Sequence, residues 1–256
     1  MMELIDTHTH LYLPEFDSDR DEMVKRAFGC GVVKLLMPNI DIHSVDKMLS
    51  AVKQYPGICY PMIGLHPTSV NEDWFSQLNT LEAVASKHKF IAIGEIGIDL
   101  YWNKTLIKEQ TEAFRRQCEF ALRSGLPVVI HSRESMDEVF SVLTEFTGQG
   151  LKGVLHAFSG DINDAKKAIG MGFKLGIGGI VTFKNSGLDK IVKEVGPEHI
   201  VLETDSPYLA PSPHRGMRNE SSYICIINKK LAEIFRMSEE KVASITFANS
   251  AELFNI

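Results

Sequence analysis

The stretch Pro127-Val128-Val129-Ile130-His131-Ser132-Arg133 is a short apolar run that leads into a histidine. An apolar, β-branched run of this length predicts a buried β-strand. The next such run along the chain, Gly153-Val154-Leu155-His156-Ala157-Phe158, also leads into a histidine. A single histidine in this position is usually a core or capping residue. Two at equivalent ends of consecutive strands indicate a shared site at one end of a parallel sheet.

Runs of this kind recur along the chain and alternate with segments of helical periodicity. The eight predicted strands are residues 3–11, 32–40, 59–66, 90–100, 127–131, 153–158, 173–181 and 200–204. Between them, apolar side chains recur three or four positions apart, as Phe114, Cys118 and Ala121 do. Ser238 before two glutamates predicts the start of a last helix. This alternation implies βαβ units and a parallel sheet.

Eight such units in about 250 residues match an α/β fold of the (β/α)₈ TIM-barrel type. We expect residues 1–256 to form one domain of this kind. A doubly wound open sheet is the alternative. The barrel is favoured because polar side chains follow many of the strands. A barrel brings all its strand ends to one mouth, whereas an open sheet gathers only those beside its switch point.

The composition excludes several classes of function. The 27 Lys and Arg residues against 33 Asp and Glu give a net charge of −6, which excludes a broad basic surface that binds nucleic acid by charge alone. The four cysteines include no C-x-x-C pair, so neither a disulfide framework nor a zinc knuckle is predicted. No apolar run approaches the roughly 20 residues that cross a bilayer, and the first ten residues lack the features of a signal peptide. We expect a cytoplasmic protein with no membrane partner.

Histidines and carboxylates near the predicted strand ends form a candidate metal centre. His8 and His10 are two residues apart, so a strand would point both to one side. Glu95 interrupts an apolar run, which is costly unless the carboxylate is paired or bound to metal. Asp205 follows the eighth run, nearest the mouth, and is the better candidate for a ligand that also takes a proton from water. The candidate ligands are His8, His10, Glu95, His131, His156 and Asp205.

These six side chains exceed what one catalytic ion with an open coordination position requires. They suit two divalent ions a few ångströms apart, with Glu95 bridging. A set without thiolates is compatible with Zn²⁺, Mn²⁺, Co²⁺ or Fe²⁺, and with Mg²⁺ if it keeps some waters. Such a pair generates a hydroxide at neutral pH, so the predicted reaction class is metal-dependent hydrolysis. Asp99 and Glu203 are expected to contact the ligands on the side away from the ions, as hydrogen-bond acceptors or structural residues.

Segments around these residues resemble the TatD family of metal-dependent deoxyribonucleases, within the amidohydrolase-like barrels. The segments are residues 5–11, 64–67, 94–102, 129–133, 156–160, 203–211 and 215–219. The resemblance covers essentially the whole chain in order and spacing. Amidohydrolase relatives place a carboxylated lysine at the fourth strand, where this chain has Glu95, and this difference favours the TatD branch.

The resemblance implies how the ligands are shared between the two ions. The first ion is held by His8, His10, Glu95 and Asp205, and the second by Glu95, His131 and His156. It also implies that Asp205 acts as general base. The implied activity is a Mg²⁺-supported exonuclease that degrades single-stranded DNA from its 3′ end.

The chain departs from the family pattern at three positions outside the predicted ligands. Met217 and Ser221 stand where lysine and proline are usual, which removes one cation and a residue that would stiffen the loop. Thr68 stands where a second histidine is common. We expect these departures to affect the choice of substrate more than catalysis.

Cations and aromatic residues in the loops after the strands are candidate DNA contacts. The candidate phosphate contacts are His66, Arg133, Lys184, His214, Arg215 and Arg218. The candidate base-stacking residues are Tyr101, Trp102, Phe158, Phe183 and Tyr208. For any one of them, a solvated charge or ordinary loop packing is the commoner outcome.

Two other functions remain open at this stage. The same ions and hydroxide would serve an amidohydrolase-like enzyme that cleaves a small amide or ester. A metal-loaded barrel without catalysis is the third hypothesis, which the complete ligand set disfavours. The acidic net charge of −6 predicts that the protein binds DNA locally, at short or single-stranded ends, rather than along a long duplex.

Overall fold

The computed structural model describes residues 2–256, in which strands and helices alternate along the chain. The strands are β1 Leu4–Asp6, β2 Val32–Met37, β3 Cys59–Pro61, β4 Ile93–Asp99, β5 Val128–Arg133, β6 Gly153–Leu155, β7 Phe173–Ile177 and β8 Ile200–Leu202. The α-helices are α1 Arg20–Gly29, α2 Val45–Gln54, α3 Trp74–Ala85, α4 Ile107–Ser124, α5 Met136–Glu145, α6 Ile162–Gly170, α7 Leu188–Val195, α8 Ile224–Phe235 and α9 Glu239–Phe254. Ser238 caps α9 as predicted, since its side chain accepts a hydrogen bond from the Lys241 amide.

The strands are parallel and close into a barrel. Strands β1 to β3 pair in order, as do β4 to β8. A bridge between Ile63 and Ile93 joins β4 to the chain just after β3. On the other side, the Thr7 amide donates to the Leu202 carbonyl at 3.0 Å, which joins the end of β1 to β8. The predicted (β/α)₈ architecture is confirmed, and the open sheet is excluded.

The barrel interior is filled at the end opposite to the mouth. Side chains from alternate positions of the strands pack there, among them Leu36, Val129 and Val201, all at most 1% exposed. Leu253 and Phe254, at the end of α9, pack against this cluster. A second, larger cluster lies between the strands and the surrounding helices. The carboxyl ends of the strands are therefore the open end, where polar side chains gather.

Most strands end earlier than the sequence predicts, and in β1 and β8 this affects residues of the proposed site. Strand β1 ends at Asp6, so the prediction that His8 and His10 lie on a strand is wrong, and both lie in the loop after β1. Their side chains nevertheless point to one side, since their Nε2 atoms lie 3.1 and 3.8 Å from Glu95 Oε2. The Asp6 carboxylate accepts hydrogen bonds from the amide and hydroxyl of Thr204, at 2.9 and 2.6 Å. A side chain thus takes the place of the next strand–strand hydrogen bond.

Strand β8 likewise ends at Leu202, before the predicted residue 204. The argument that Glu203 and Asp205 share one face by the strand period is also wrong. Asp205 has a left-handed backbone, with φ of 58°, which breaks the alternation. Left-handed non-glycine residues concentrate at functional sites, where surrounding contacts hold them.

Among residues 2–256, no helix is both long enough and apolar enough to cross a membrane.

Candidate active site

The open end of the barrel holds a cavity of about 800 Å³. It is bounded by residues at or after the carboxyl ends of all eight strands. Its lining includes His10, His66, Glu95, Asp99, Trp102, His131, Arg133, His156, Asp205 and Tyr208. Barrel closure therefore brings residues almost 200 positions apart into one site.

Glu95 lies at the centre of the histidine cluster, and its side chain is only 4% exposed. One carboxylate oxygen, Oε2, lies 3.1 Å from His8 Nε2 and 3.8 Å from His10 Nε2. The other, Oε1, lies 3.0 Å from His131 Nδ1 and 3.3 Å from His66 Nε2. The two oxygens thus face two groups of histidines.

Asp205 faces the same cluster from the opposite wall. Its Oδ1 lies 3.6 Å from each Nε2 of His8, His10 and His156. Burial raises the pKa of Asp205, but His156 and His10 more than offset that effect, so the carboxyl pKa lies well below its usual range. Its side chain is 15% exposed, against 4% for Glu95. Of the two carboxylates, Asp205 is the one that water reaches more easily.

The buried donors of this cluster fit a divalent cation. Both ring nitrogens of His8 are buried, and neither makes an aligned hydrogen bond among the described residues 2–256, although Nε2 lies 3.1 Å from Glu95 Oε2. Burial, reinforced by the charge of His156, lowers the pKa of His8 and so favours the neutral imidazole that binds metals. A buried ring nitrogen without a partner is costly, and binding of a cation would satisfy the unprotonated nitrogen of the ring. Candidate ligand atoms come together in three groups: His8, His156 and Asp205; His8, His10 and Glu95; and His66, Glu95 and His131.

Glu203 lies against His156 on the side away from the cluster. Its Oε1 accepts a hydrogen bond from the Ala157 amide at 2.6 Å, and its Oε2 lies 3.0 Å from His156 Nδ1, an ion-pair contact that is not aligned as a hydrogen bond. The Nε2 atom of His156 is thereby turned toward the cluster. Burial lowers the pKa of His156, but the Glu203, Asp205 and Glu95 carboxylates together more than offset this and raise it well above the usual value. A Cβ on Gly176 would lie 2.2 Å from Glu203 Oε2, so this position leaves no room for a side chain.

Asp99 plays the corresponding part for His131. His131 Nε2 lies 2.9 Å from Asp99 Oδ2, which leaves Nδ1 facing Glu95. Burial lowers the pKa of His131, but the two carboxylates raise it to about 9. Gly97, with φ of 140°, allows the two strands to approach here, since a Cβ would lie 2.0 Å from the His131 carbonyl oxygen.

His66 joins the cluster more closely than the sequence indicated. Its Nδ1 accepts a hydrogen bond from the Thr68 amide at 3.2 Å, and the Thr68 hydroxyl lies 2.7 Å from the same atom. A neutral imidazole that accepts at Nδ1 carries its proton on Nε2. That proton points to Glu95 Oε1 at 3.3 Å. His66 in this state is a hydrogen-bond donor facing the cavity.

Arg133, like His66, is a predicted phosphate contact that lies at the cavity. Its guanidinium stacks on the ring of Tyr101, with the central carbon 3.7 Å from the ring centroid, and lies 5.5 Å from the centroid of Trp102. Trp102 is 68% exposed and Tyr208, across the cavity, is 48% exposed. These side chains form an aromatic and cationic rim around the buried candidate ligand atoms.

The other predicted cationic contacts lie away from the cavity lining. Lys184 is exposed in the loop after β7, and Arg215 is exposed and stacks on Phe183 at 4.7 Å. Arg218 is engaged elsewhere, since both terminal nitrogens donate to the Asp19 carboxylate at 2.7 Å. Its predicted phosphate contact is not supported, because Asp19 already occupies the fork that would bind a phosphate.

Sequence reasoning missed the polar residues that hold the two loops of the site together. Asp6 bonds to Thr204, and the Asn219 amide donates to the carbonyls of Thr204 and Tyr208. Asp6 and Asn219 are both fully buried. In the sequence, Asp6 lies two residues before the proposed ligand His8, and Asn219 directly follows Arg218. A position near a proposed functional residue does not predict which group a side chain will hydrogen-bond to.

Comparison with known proteins gives this arrangement a family. The model of the TatD related DNase family matches residues 5–255. The uncharacterized metal-dependent hydrolase YabD of Bacillus subtilis strain 168 is 35% identical over 254 residues, covering 99% of each chain. The crystal structure of YjjV, a TatD homologue of Escherichia coli K12, has a TM-score of 0.93 at 28% identity and covers 100% of this chain and 99% of that chain. A TatD family hydrolase of Entamoeba histolytica shares the fold, with a TM-score of 0.86 at 22% identity, over 99% of this chain and 98% of that chain.

A parallel barrel with histidines and carboxylates gathered at the carboxyl ends of its strands defines a class, the metal-dependent hydrolases. The chain belongs to the TatD related DNase family, as the sequence resemblance indicated. The number and identity of the ions and the role of each ligand stay predictions.

Proposed function

We propose that the protein is a metal-dependent deoxyribonuclease that degrades single-stranded DNA from its 3′ end and uses two divalent ions. The observation that carries this proposal is the position of Glu95. Its two carboxylate oxygens face separate groups of histidines, at 3.1 Å from His8 and 3.0 Å from His131. One carboxylate placed in this way supports two neighbouring cations rather than one.

The chemistry supplied by bound cations is activation of a water and neutralisation of charge on a phosphodiester. Within the protein, Asp205 is the carboxylate placed to accept the proton of that water, because it is the more exposed of the two at 15%. Glu203 holds His156 with Nε2 toward the cluster, and Asp99 holds His131 with Nδ1 toward Glu95. These contacts limit rotation of the histidine rings during turnover.

The rim of the cavity supports nucleic acid as the substrate. The Nε2–H of His66 and the guanidinium of Arg133 can donate to phosphate oxygens. Trp102 and Tyr208 expose ring faces that an unpaired base can stack on. The net charge of −6 argues against a long duplex, so a short single-stranded segment at the rim is the favoured ligand.

The test is digestion of a 5′-labelled single-stranded oligonucleotide with Mg²⁺ or Mn²⁺. Wild-type protein is expected to give a ladder that shortens from the 3′ end and disappears with EDTA. Asp205→Asn is expected to abolish cleavage. Asp189→Asn, an exposed change of the same type on α7, is the matched control and is expected to cleave normally.

Other outcomes discriminate between the hypotheses. Internal cuts that depend on Asp205 would keep the metal chemistry and replace the exonuclease with an endonuclease. Absence of cleavage by protein with metal shown to be bound would overturn the nuclease proposal. The amidohydrolase-like alternative, cleavage of a small amide or ester, would then be tested with the same Asp205→Asn variant.

A further inference from the structure

Asp205 lies in a tight turn whose two ends are tied by one side chain. The Tyr208 amide donates to the Asp205 carbonyl at 2.8 Å, which closes the turn. The Asn219 side-chain amide donates to the Thr204 carbonyl at 2.7 Å and to the Tyr208 carbonyl at 2.6 Å. These two carbonyls belong to the residues just before Asp205 and three after it. A single amide group therefore bridges the turn that carries the carboxylate.

The backbone of this turn needs such support. Asp205 has φ of 58°, a left-handed conformation that a non-glycine residue keeps only when surrounding contacts impose it. One other tie is the Asp205 amide, which donates to the His8 carbonyl at 2.9 Å. That bond fixes the peptide on the N-terminal side of Asp205. The bonds from Asn219 also reach the C-terminal side of the turn, which the bond to His8 does not.

Asn219 is itself held firmly enough to act in this way. It is fully buried, and its own amide donates to the Pro207 carbonyl at 2.9 Å. Its side-chain oxygen accepts from the Glu220 amide at 2.9 Å, which determines that the side-chain nitrogen faces the turn. Both functional groups of the side chain are thus satisfied, and rotation would break three hydrogen bonds at once.

We propose that Asn219 is a positioning residue that sets the direction of the Asp205 carboxylate toward the histidine cluster. Three histidine Nε2 atoms lie at an equal 3.6 Å from Asp205 Oδ1. A small rotation of the turn would bring the oxygen closer to one nitrogen and move it away from the others. The inference rests on the proposed metal site, since its consequence is a loss of cation affinity through Asp205.

The chain offers a matched control in Asn249. This asparagine is also buried, at 8% exposure, and its side-chain amide donates to two backbone carbonyls, those of Pro197 and Ile200, at 2.9 and 2.8 Å. Its two acceptors lie at the amino end of β8, whereas those of Asn219 lie beyond the carboxyl end. At either position, replacing asparagine with alanine removes two hydrogen bonds from a side-chain amide to backbone carbonyls. The two positions differ in which end of β8 they hold.

The experiment compares Asn219→Ala with Asn249→Ala by Mn²⁺ titration, with free Mn²⁺ followed by electron paramagnetic resonance. Both variants are expected to lower the melting temperature. Only Asn219→Ala is expected to weaken Mn²⁺ binding, by 10- to 100-fold, which is the usual effect of removing a residue that orients a ligand. Exchange of the backbone amides of Asp205, Ser206 and Tyr208 in the metal-free protein is expected to accelerate in that variant alone.

Equal Mn²⁺ affinity in the two variants would overturn the proposal and leave Asn219 a structural residue. Failure of the wild-type protein to bind Mn²⁺ would instead refute the metal site on which the inference rests. If Asn219→Ala does not fold, Asn219→Ser is compared with Asn249→Ser by Mn²⁺ titration and amide exchange. A serine keeps a polar group in the buried site, but its single O–H cannot donate to two carbonyls at once.

Discussion

Replacing Glu203 with glutamine is expected to disable His156 as a ligand while the fold is retained. The Glu203 carboxylate contacts two groups, the Ala157 amide at 2.6 Å and His156 Nδ1 at 3.0 Å. A glutamine that keeps its oxygen toward Ala157 must present its NH₂ group to Nδ1. That nitrogen would become an acceptor, and the ring proton would move to Nε2. An Nε2–H cannot bind a cation.

The reverse orientation of the glutamine does not rescue the site. It would place the NH₂ group 2.6 Å from the Ala157 amide, so that two donors face each other. Gly176 packs directly against the carboxylate and leaves little room for rotation. We therefore expect the upper part of the 10- to 100-fold range for loss of an orienting residue. A 100-fold loss of cation affinity corresponds to about 2.7 kcal/mol.

The assay is Mn²⁺ titration of Glu203→Gln, with melting temperatures measured on the same samples. Glu220→Gln is the control, because Glu220 is also a largely buried carboxylate, paired with Arg26 at 2.6 Å, but has no histidine partner. The control is expected to lose stability and keep its cation affinity. Cation affinity in Glu203→Gln within threefold of the control would refute the argument that Glu203 sets the tautomer of His156.

Three further predictions follow from the rim, the surface and the strands. Trp102→Ala should raise the KM for a single-stranded oligonucleotide by the equivalent of about 1–3 kcal/mol and leave kcat nearly unchanged, if the exposed ring stacks a base; a small ester substrate should show no change. Asp19→Asn should cost about 1 kcal/mol in urea unfolding at pH 7, a value reduced for solvent screening at this partly exposed pair. The hydrogen bonds from Arg218 lower the pKa of Asp19, so this stabilisation is present above the unfolded pKa of about 3.9 and is lost as the pH falls below it; an undiminished difference at pH 2 would contradict this. Gly97→Ala should destabilise the protein by several kcal/mol or prevent folding, because its Cβ would lie 2.0 Å from the His131 carbonyl oxygen, and a melting curve like that of wild type would refute the close approach.

Much of the fold and of the candidate ligand set follows from local sequence pattern. The apolar runs that became β5 and β6 end beside His131 and His156, and strand pattern depends only on neighbouring residues. Once eight such runs alternate with helices, barrel closure places their carboxyl ends together. Glu95, a carboxylate inside an apolar strand, is recognisable for the same reason, since its burial is costly without a partner.

The structure was needed for every feature that depends on a distant partner. Arg218 has the chemistry of a phosphate contact, yet its guanidinium binds Asp19, 199 positions earlier in the chain. His66 looked like an isolated histidine, and its contact with Glu95 depends on the register between neighbouring strands. A side chain's local pattern predicts its burial and its element, but it does not say which of several possible partners will be closest.

The same distinction explains the two loops that complete the site. The sequence alone is enough to place two histidines and a carboxylate, the candidate ligands, near the ends of the first and eighth strands. The closed barrel is needed to see that Asp6 ends β1 by binding Thr204, 198 positions away, and that Asn219 bridges the left-handed turn of Asp205. The physical reason is that a buried polar group must find a hydrogen-bond partner. Which partner it finds is settled only when the barrel closes and brings the first strand against the last.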